Sequence, residues 1–199
     1  MKSGICKIEN GTRDLAAILK ESEKVAAYAG LDHKQSLQLR LLCEEIDGML
    51  PNIIDDFEGA LFIDYDGGVC RVNVSVKIPE LNSKKKEELI EIAKDKKNSA
   101  AVGIVGKIRD AIENFLLAES VEDSFYATSA IFHPSIGYSE GVDYSYLWSL
   151  EQYKSTVNQM EQADEWDELE KSVIASVADD VIVGVKGSQA DIVIVKKFA

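Results

Sequence analysis

The sequence predicts an α/β protein in which helices pack on one face of paired β-strands. A long amphipathic helix is expected from Gly30 to Ile54, because apolar residues repeat there at helical spacing. Two hairpins are expected, one at residues 60–78 and one at residues 179–198. The strands of the second hairpin are almost continuously apolar, which indicates burial against helices and further structure beyond one or both sheet edges.

Size and charge limit the range of functions. The chain has 199 residues and 46% hydrophobic content, which is enough for one core, so we expect a single domain over residues 1–199. The formal net charge is −13, and this field repels nucleic acid and anionic membranes, so neither is expected as a partner. No apolar run approaches membrane-spanning length and residues 1–20 lack a signal-peptide core, which predicts a cytoplasmic protein.

Neither the cysteines nor the histidines form a metal-binding pattern. Cys6, Cys43 and Cys70 are odd in number and lie far apart in apolar or alternating segments, which predicts reduced, structural thiols. His133 has no Cys or second His at metal-ligand spacing, and His33 lies in the first turn of the central helix. We therefore expect no metal site and no Ser/His relay.

The helix from Gly30 to Ile54 organises the N-terminal half of the chain. Asp32 can cap it together with Gln35, as in a capping box. A preceding helix ends at Gly30, after a short edge strand at residues 4–10. The central helix buries one apolar stripe, formed by Leu39, Leu42, Ile46, Met49 and Ile53.

A second ridge of the central helix carries polar groups at intervals of four residues. Glu44, Gly48 and Asn52 stack along it, and Asp47 lies beside them. Pro51 removes a backbone hydrogen bond and crowds the preceding turn, so we expect the last turn of the helix to bend or loosen.

The middle of the chain is less regular. A charged helix is expected at residues 83–97, a buried helical face at residues 100–117 and a further helix from Tyr144 to Met160. Between them lies an aromatic, turn-rich stretch with Tyr126, Phe132 and Tyr138. This stretch is either a partner-binding surface or an irregular loop held by its own aromatic side chains.

Both ends of the chain resemble a known family. Residues 16–31 (AAILKESEKVAAYAGL) and 37–54 (LQLRLLCEEIDGMLPNII) resemble the first two helices of the anti-sigma-factor serine kinases, and residues 169–198 resemble their closing helix and hairpin. These kinases belong to the superfamily of histidine-kinase-like ATPases, and the resemblance covers residues 12–78 and 165–198. It implies a two-layer α+β sandwich with helices on one face of a mixed, largely antiparallel sheet. Residues 79–164 would form an enlarged helical insertion at the position of the nucleotide lid.

The resemblance also implies a catalytic position that is only half preserved. In the family this helix presents a Glu that activates the attacking group and, four residues later, an Asn that ligates magnesium. Glu44 fits the first position, but Gly48 occupies the second and has no oxygen with which to bind Mg²⁺. Asn52 could replace that Asn only if Pro51 reshapes the helix.

The family's two other nucleotide-binding motifs are also altered in ways that disfavour nucleotide binding. The Asp and spaced glycines that receive adenine correspond here to Ile78–Asn82, where Glu80 is the one candidate acceptor and no glycine follows. The glycine-rich phosphate turn corresponds to residues 163–168, which contain no glycine and four acidic groups.

The leading interpretation is a regulatory, protein-binding module that has lost ATP binding and phosphoryl transfer, and therefore needs no cofactor. By resemblance its partner is a transcription regulator or sigma-factor-like protein, bound through the aromatic stretch or the helices near Gly30; a homodimer is left open. The alternative is an active serine kinase with ATP and Mg²⁺, using Glu44 with Asn52 and Glu80. A third reading places a small molecule in a pocket of the insertion, lined by Tyr126, Phe132 and Tyr138.

Overall fold

The computed structural model of the protein describes residues 1–78, 103–118, 146–159, 172–186 and 188–198. Its strands are β1 Cys6–Glu9, β2 Thr12–Arg13, β3 Glu58–Asp66, β4 Val69–Lys77, β5 Tyr146–Ser149, β6 Asp180–Lys186 and β7 Gln189–Lys197. Its helices are α1 Leu15–Ala29, α2 His33–Ile53, α3 Gly103–Ala118, α4 Leu150–Gln159 and α5 Val173–Val177.

The seven described strands form one sheet in the order β2-β1-β3-β4-β7-β6-β5. The two hairpins expected from the sequence join at its centre, where β4 and β7 pair over their full lengths, from Val69 with Lys197 to Lys77 with Gln189. The described part of the chain therefore confirms a helix-backed sheet built jointly by both ends. Every pairing between these strands is antiparallel, so the expectation of a mixed sheet is not met among them.

Alternate residues of each strand face the helices, as strand geometry requires. In β4, Val72, Val74 and Val76 are buried while their neighbours remain partly exposed. The side chains of this inner face join those of the helices in one hydrophobic cluster. The buried aliphatic residues of the inner face are Ile8, Leu61, Ile63, Val72, Val74, Val76, Val181, Val183, Val185, Ala190, Ile192 and Ile194.

The two N-terminal helices begin and end as the sequence predicts. Asp14 caps α1, which stops at Gly30 in the left-handed conformation with φ 65°. Asp32 and Gln35 form the complete capping box at the start of α2. Pro51 lies inside α2, and the helix nonetheless continues to Ile53 without a break in the described backbone.

Part of the expected insertion belongs to the main core. In α3, Ile104, Ile108 and Ile112 are buried in the common cluster, and α3 packs against α2 and β6. Residues 79–102, 119–145 and 160–171 lie outside the described residues. The described segments between residues 79 and 164 thus extend the sandwich itself.

The helix expected from Tyr144 to Met160 is confirmed over Leu150–Gln159 but is wrong at residues 146–149, and residues 144, 145 and 160 lie outside the described residues. Residues 146–149 form β5, which pairs with β6 at one side of the sheet, and the helix starts only at Leu150. Residues 146–149 form a strand because they pair with the edge of β6. The helical pattern within the segment does not reveal such a distant partner. Ser149 marks the transition: its hydroxyl donates to Asp180 and accepts from the Gln152 backbone N–H at 3.4 Å.

All three cysteines are buried free thiols, in agreement with the structural role predicted for them. Among the described helices, none combines the length and the apolar character that crossing a bilayer requires.

Candidate functional site

The candidate site is the polar ridge of α2, formed by Glu44, Gly48 and Asn52. The side chain of Glu44 is 36% exposed, and Gly48 and Asn52 are exposed. The buried stripe of the same helix points into the core. The ridge therefore lies on the side of α2 that faces away from the sheet, where it is open to a ligand or partner.

The carboxylate of Glu44 is held by an ion pair on its own helix. Arg40 Nε donates to Glu44 Oε1 at 3.0 Å, and the same guanidinium lies 3.5 Å from Glu23 Oε1 on α1. Arg40 was not singled out from the sequence, although its spacing of four residues from Glu44 is the usual signal for such a pair. One carboxylate oxygen of Glu44 is therefore engaged as a hydrogen-bond acceptor within its own helix.

Gly48 places no side chain on the ridge one helical turn after Glu44. A Cβ built on Gly48 would meet no described heavy atom within 4 Å. Asn52 lies two helical turns from Glu44, which corresponds to ~12 Å along the axis, whereas the family spacing of one turn gives ~6 Å. Because α2 continues through Pro51, the helix does not bring Asn52 closer to Glu44.

Asp47 and Cys43 lie on the buried side of the same helix segment. Asp47 is only 5% exposed and so does not extend the ridge into solvent. Burial raises the pKa of the Cys43 thiol far above its ordinary range, and the nearby Cys70, Cys6 and Glu44 groups raise it further. Cys43 is therefore a neutral core thiol and not a nucleophile.

The other residues proposed from the sequence cannot be placed beside this ridge. Glu80, Tyr126, Phe132 and Tyr138 all lie outside the described residues. Within the described ranges, no group of three or more His, Cys, Asp and Glu side chains has an arrangement that could hold a metal ion. The described site thus consists of α2 and its contact with α1.

A second surface lies where α1 turns into α2. Tyr28, near the end of α1, is 67% exposed, and Leu37, near the start of α2, is 50% exposed. We call these two side chains, with the intervening turn at Gly30, the turn surface. The helices near Gly30 were expected from the sequence as a contact region, but Tyr28 and Leu37 were not identified. Leu37 could have been found from the sequence, because it is an apolar residue outside the buried stripe of α2.

Comparison of the chain with family models, with characterised proteins and with solved structures gave no match.

Proposed function

We propose that this protein is a regulatory, protein-binding module on a histidine-kinase-like sandwich that does not transfer phosphate. The observation that carries the proposal is the ridge of α2. Glu44 is paired with Arg40 at 3.0 Å, and the next position on the ridge is a glycine. Without an oxygen one turn after Glu44, the ridge lacks the hard ligand that a magnesium-bound triphosphate requires.

The turn surface supports protein binding as the retained activity. Tyr28 and Leu37 expose apolar area at one end of the helix layer, and aromatic side chains of this kind are enriched at protein interfaces. A transcription regulator or sigma-factor-like protein is the partner class that the family resemblance suggests. In this arrangement α1 and α2 present the partner surface, and the sheet holds the two helices in place.

Titration with Mg²⁺ and ATP tests the loss of phosphoryl transfer. We expect no saturable binding in the micromolar range by calorimetry, and no change on Glu44→Ala or Asn52→Ala. Glu45→Ala is the matched control, since Glu45 is a partly exposed acid on the same helix. Micromolar binding that disappears with Glu44→Ala or Asn52→Ala and persists with Glu45→Ala would establish the kinase alternative instead.

Copurification from the native host tests the turn surface. Leu37→Glu and Tyr28→Ser are expected to lose a partner that the unsubstituted protein retains. Ile5→Glu serves as the control, because Ile5 is 70% exposed but precedes β1, away from the turn. If both turn variants retain every copurifying protein, the turn surface is not the contact site.

A further inference from the structure

The side of the sheet opposite the helices carries an apolar row. We call this side the open face. Phe62 on β3, Asn73 on β4, Val193 on β7 and Ile182 on β6 are directly paired across the four strands, and we call them the central row. All four are only partly buried, and so is Val195 beside them. Three of the four members of the central row are therefore apolar side chains that the described helices do not cover.

Charges of both signs surround this row, and several of them are paired within the face. Lys7 bridges Glu9 at 2.9 Å and Glu58 at 3.5 Å, and Arg71 lies 3.8 Å from Asp64. An interface with an apolar centre and a polar, paired rim follows the usual anatomy of protein contacts. The Lys2 ammonium lies 3.8 Å from the centroid of the Phe62 ring, so the flexible lysine must pack at the edge of any contact made here.

The open face is also large enough for a specific contact. The strands β3, β4 and β7 each contain 9 residues, which corresponds to a length of ~30 Å at the usual rise. Together with β1 and β6 these five neighbouring strands contain 38 residues. At the usual rise and a spacing of ~4.8 Å between strands, their flat area is ~600 Å² before side-chain relief is added, which is at the lower end of the ~600–1,000 Å² that each partner buries in a specific interface.

We propose that the open face is a self-association surface, on which two copies of this chain pack sheet against sheet. The total charge of −13 makes two copies repel each other in general, and repulsion is weakest where the charges are mixed and paired. Because the charges on this face are of both signs, the face does not attract a strongly charged partner such as a basic or an acidic protein. The contact is isologous, so each central row meets the same surface of the other copy. This proposal is independent of the turn surface and of nucleotide binding.

Sedimentation of the full chain tests this assembly. Complexes with interfaces of this size range from micromolar to picomolar affinity, so a dimer of twice the 21.9 kDa chain mass should be present at about 100 µM protein. Val193→Lys places like charges at the centre of both copies and should weaken the dimer at least tenfold. Asn73→Lys is a second variant in the central row. It replaces one polar side chain with another, so it should leave the fold intact even if Val193→Lys perturbs folding. Leu15→Lys, an exposed position at the start of α1 in the helix layer, should leave the dimer unchanged.

A crosslinking measurement locates the contact. The native thiols are buried, so a short bismaleimide should crosslink Asn73→Cys into a dimer and leave the unsubstituted protein and Leu37→Cys monomeric on a denaturing gel. A monomer at about 100 µM, where even a micromolar interface would be populated, would overturn the proposal. Crosslinking of Leu37→Cys at least as fast as Asn73→Cys would overturn it as well, because the copies would then meet at the turn surface.

Discussion

At the scale of single residues, two glycines in this chain meet opposite constraints. A Cβ on Gly59 would lie 2.1 Å from the Ser75 carbonyl oxygen of the neighbouring strand, whereas a Cβ on Gly48 would meet no described atom within 4 Å. The first glycine permits close approach of β3 and β4. The second occupies an exposed helical position, where glycine is less favourable than alanine.

Alanine substitution should therefore have opposite effects at these two positions. We expect Gly59→Ala to lower the free energy of unfolding by about 1–3 kcal/mol, because the strands must separate to admit the methyl group. We expect Gly48→Ala to raise it by about 0.5–1 kcal/mol. Urea denaturation of both variants measures the difference, and a loss of stability in Gly48→Ala would mean that this position is crowded.

The buried thiols predict how stability depends on alkaline pH. Burial raises the pKa of Cys70 to about 12, with a further contribution from Asp64. An unfolded thiol titrates near ~8.5, so between these values the unfolded state binds fewer protons than the folded state. Stability should thus be unaffected by Cys70 below ~8.5 and should fall as pH rises above it, by on the order of 1 kcal/mol per pH unit. Urea denaturation from neutral to alkaline pH checks this, and Cys70→Ala should reduce the slope.

At the scale of elements, the sequence predicted the ends of those helices that are capped by residues close in sequence. The Asp32 capping box and the left-handed stop at Gly30 are both present in the structure, because caps depend on residues three or four positions apart. The strand at residues 146–149 was missed because its pairing partner, β6, lies more than thirty residues later in sequence. Propensity within a short window contains no information about such a partner.

Asp180 shows how a distant residue determines where an element starts. Its carboxylate accepts hydrogen bonds from the Ser149 hydroxyl at 3.1 Å, the Glu151 backbone N–H at 3.0 Å and the Val181 backbone N–H at 2.8 Å. The first two donors lie at the junction of β5 and α4. Asp180 therefore ties this junction to the start of β6, and its negative charge also suits the N-terminus of α4.

Removal of this carboxylate should destabilise the β5–α4 junction. We expect Asp180→Ala to lower the free energy of unfolding by about 1–3 kcal/mol, because buried donors lose their acceptor. Asp180→Asn keeps one acceptor oxygen and should cost less. Hydrogen exchange at the Glu151 amide, together with urea denaturation, would measure both variants; equal protection of Glu151 in all three proteins would contradict this role.

At the scale of the whole molecule, the sequence predicted the layers better than the site. Periodicity of two and of 3.6 residues identified which faces are buried, and those faces meet in one cluster. The ion pair between Arg40 and Glu44 was not anticipated, although both residues lie on one helix. The helix expected from Gly30 to Ile54 does continue through Pro51 to Ile53, and Ile53 is buried in the core, so tertiary packing there offsets the backbone hydrogen bond that proline removes.

The joining of both chain ends in one sheet predicts a single cooperative unit. We expect amides of the central strands β4 and β7, such as those of Val74 and Ile192, to exchange with solvent only through global unfolding and with the same free energy. Amides of β1 and β5, near the two sides of the sheet, should exchange at lower free energies. Native-state hydrogen exchange over a urea series measures these values. A lower exchange free energy for β7 than for β4 would mean that the terminal hairpin opens independently.

The pairing of β4 with β7 also has a consequence for synthesis on the ribosome. β4 ends at Lys77 and β7 begins only at Gln189, so at ordinary translation rates the second strand emerges on the order of ten seconds after the first. During that interval the nascent chain displays an unpaired strand edge beside its valine-rich surface, a template for pairing with other chains. The partly synthesised chain is therefore exposed to pairing with other chains until β7 emerges, and covering of this edge by a chaperone would prevent that pairing.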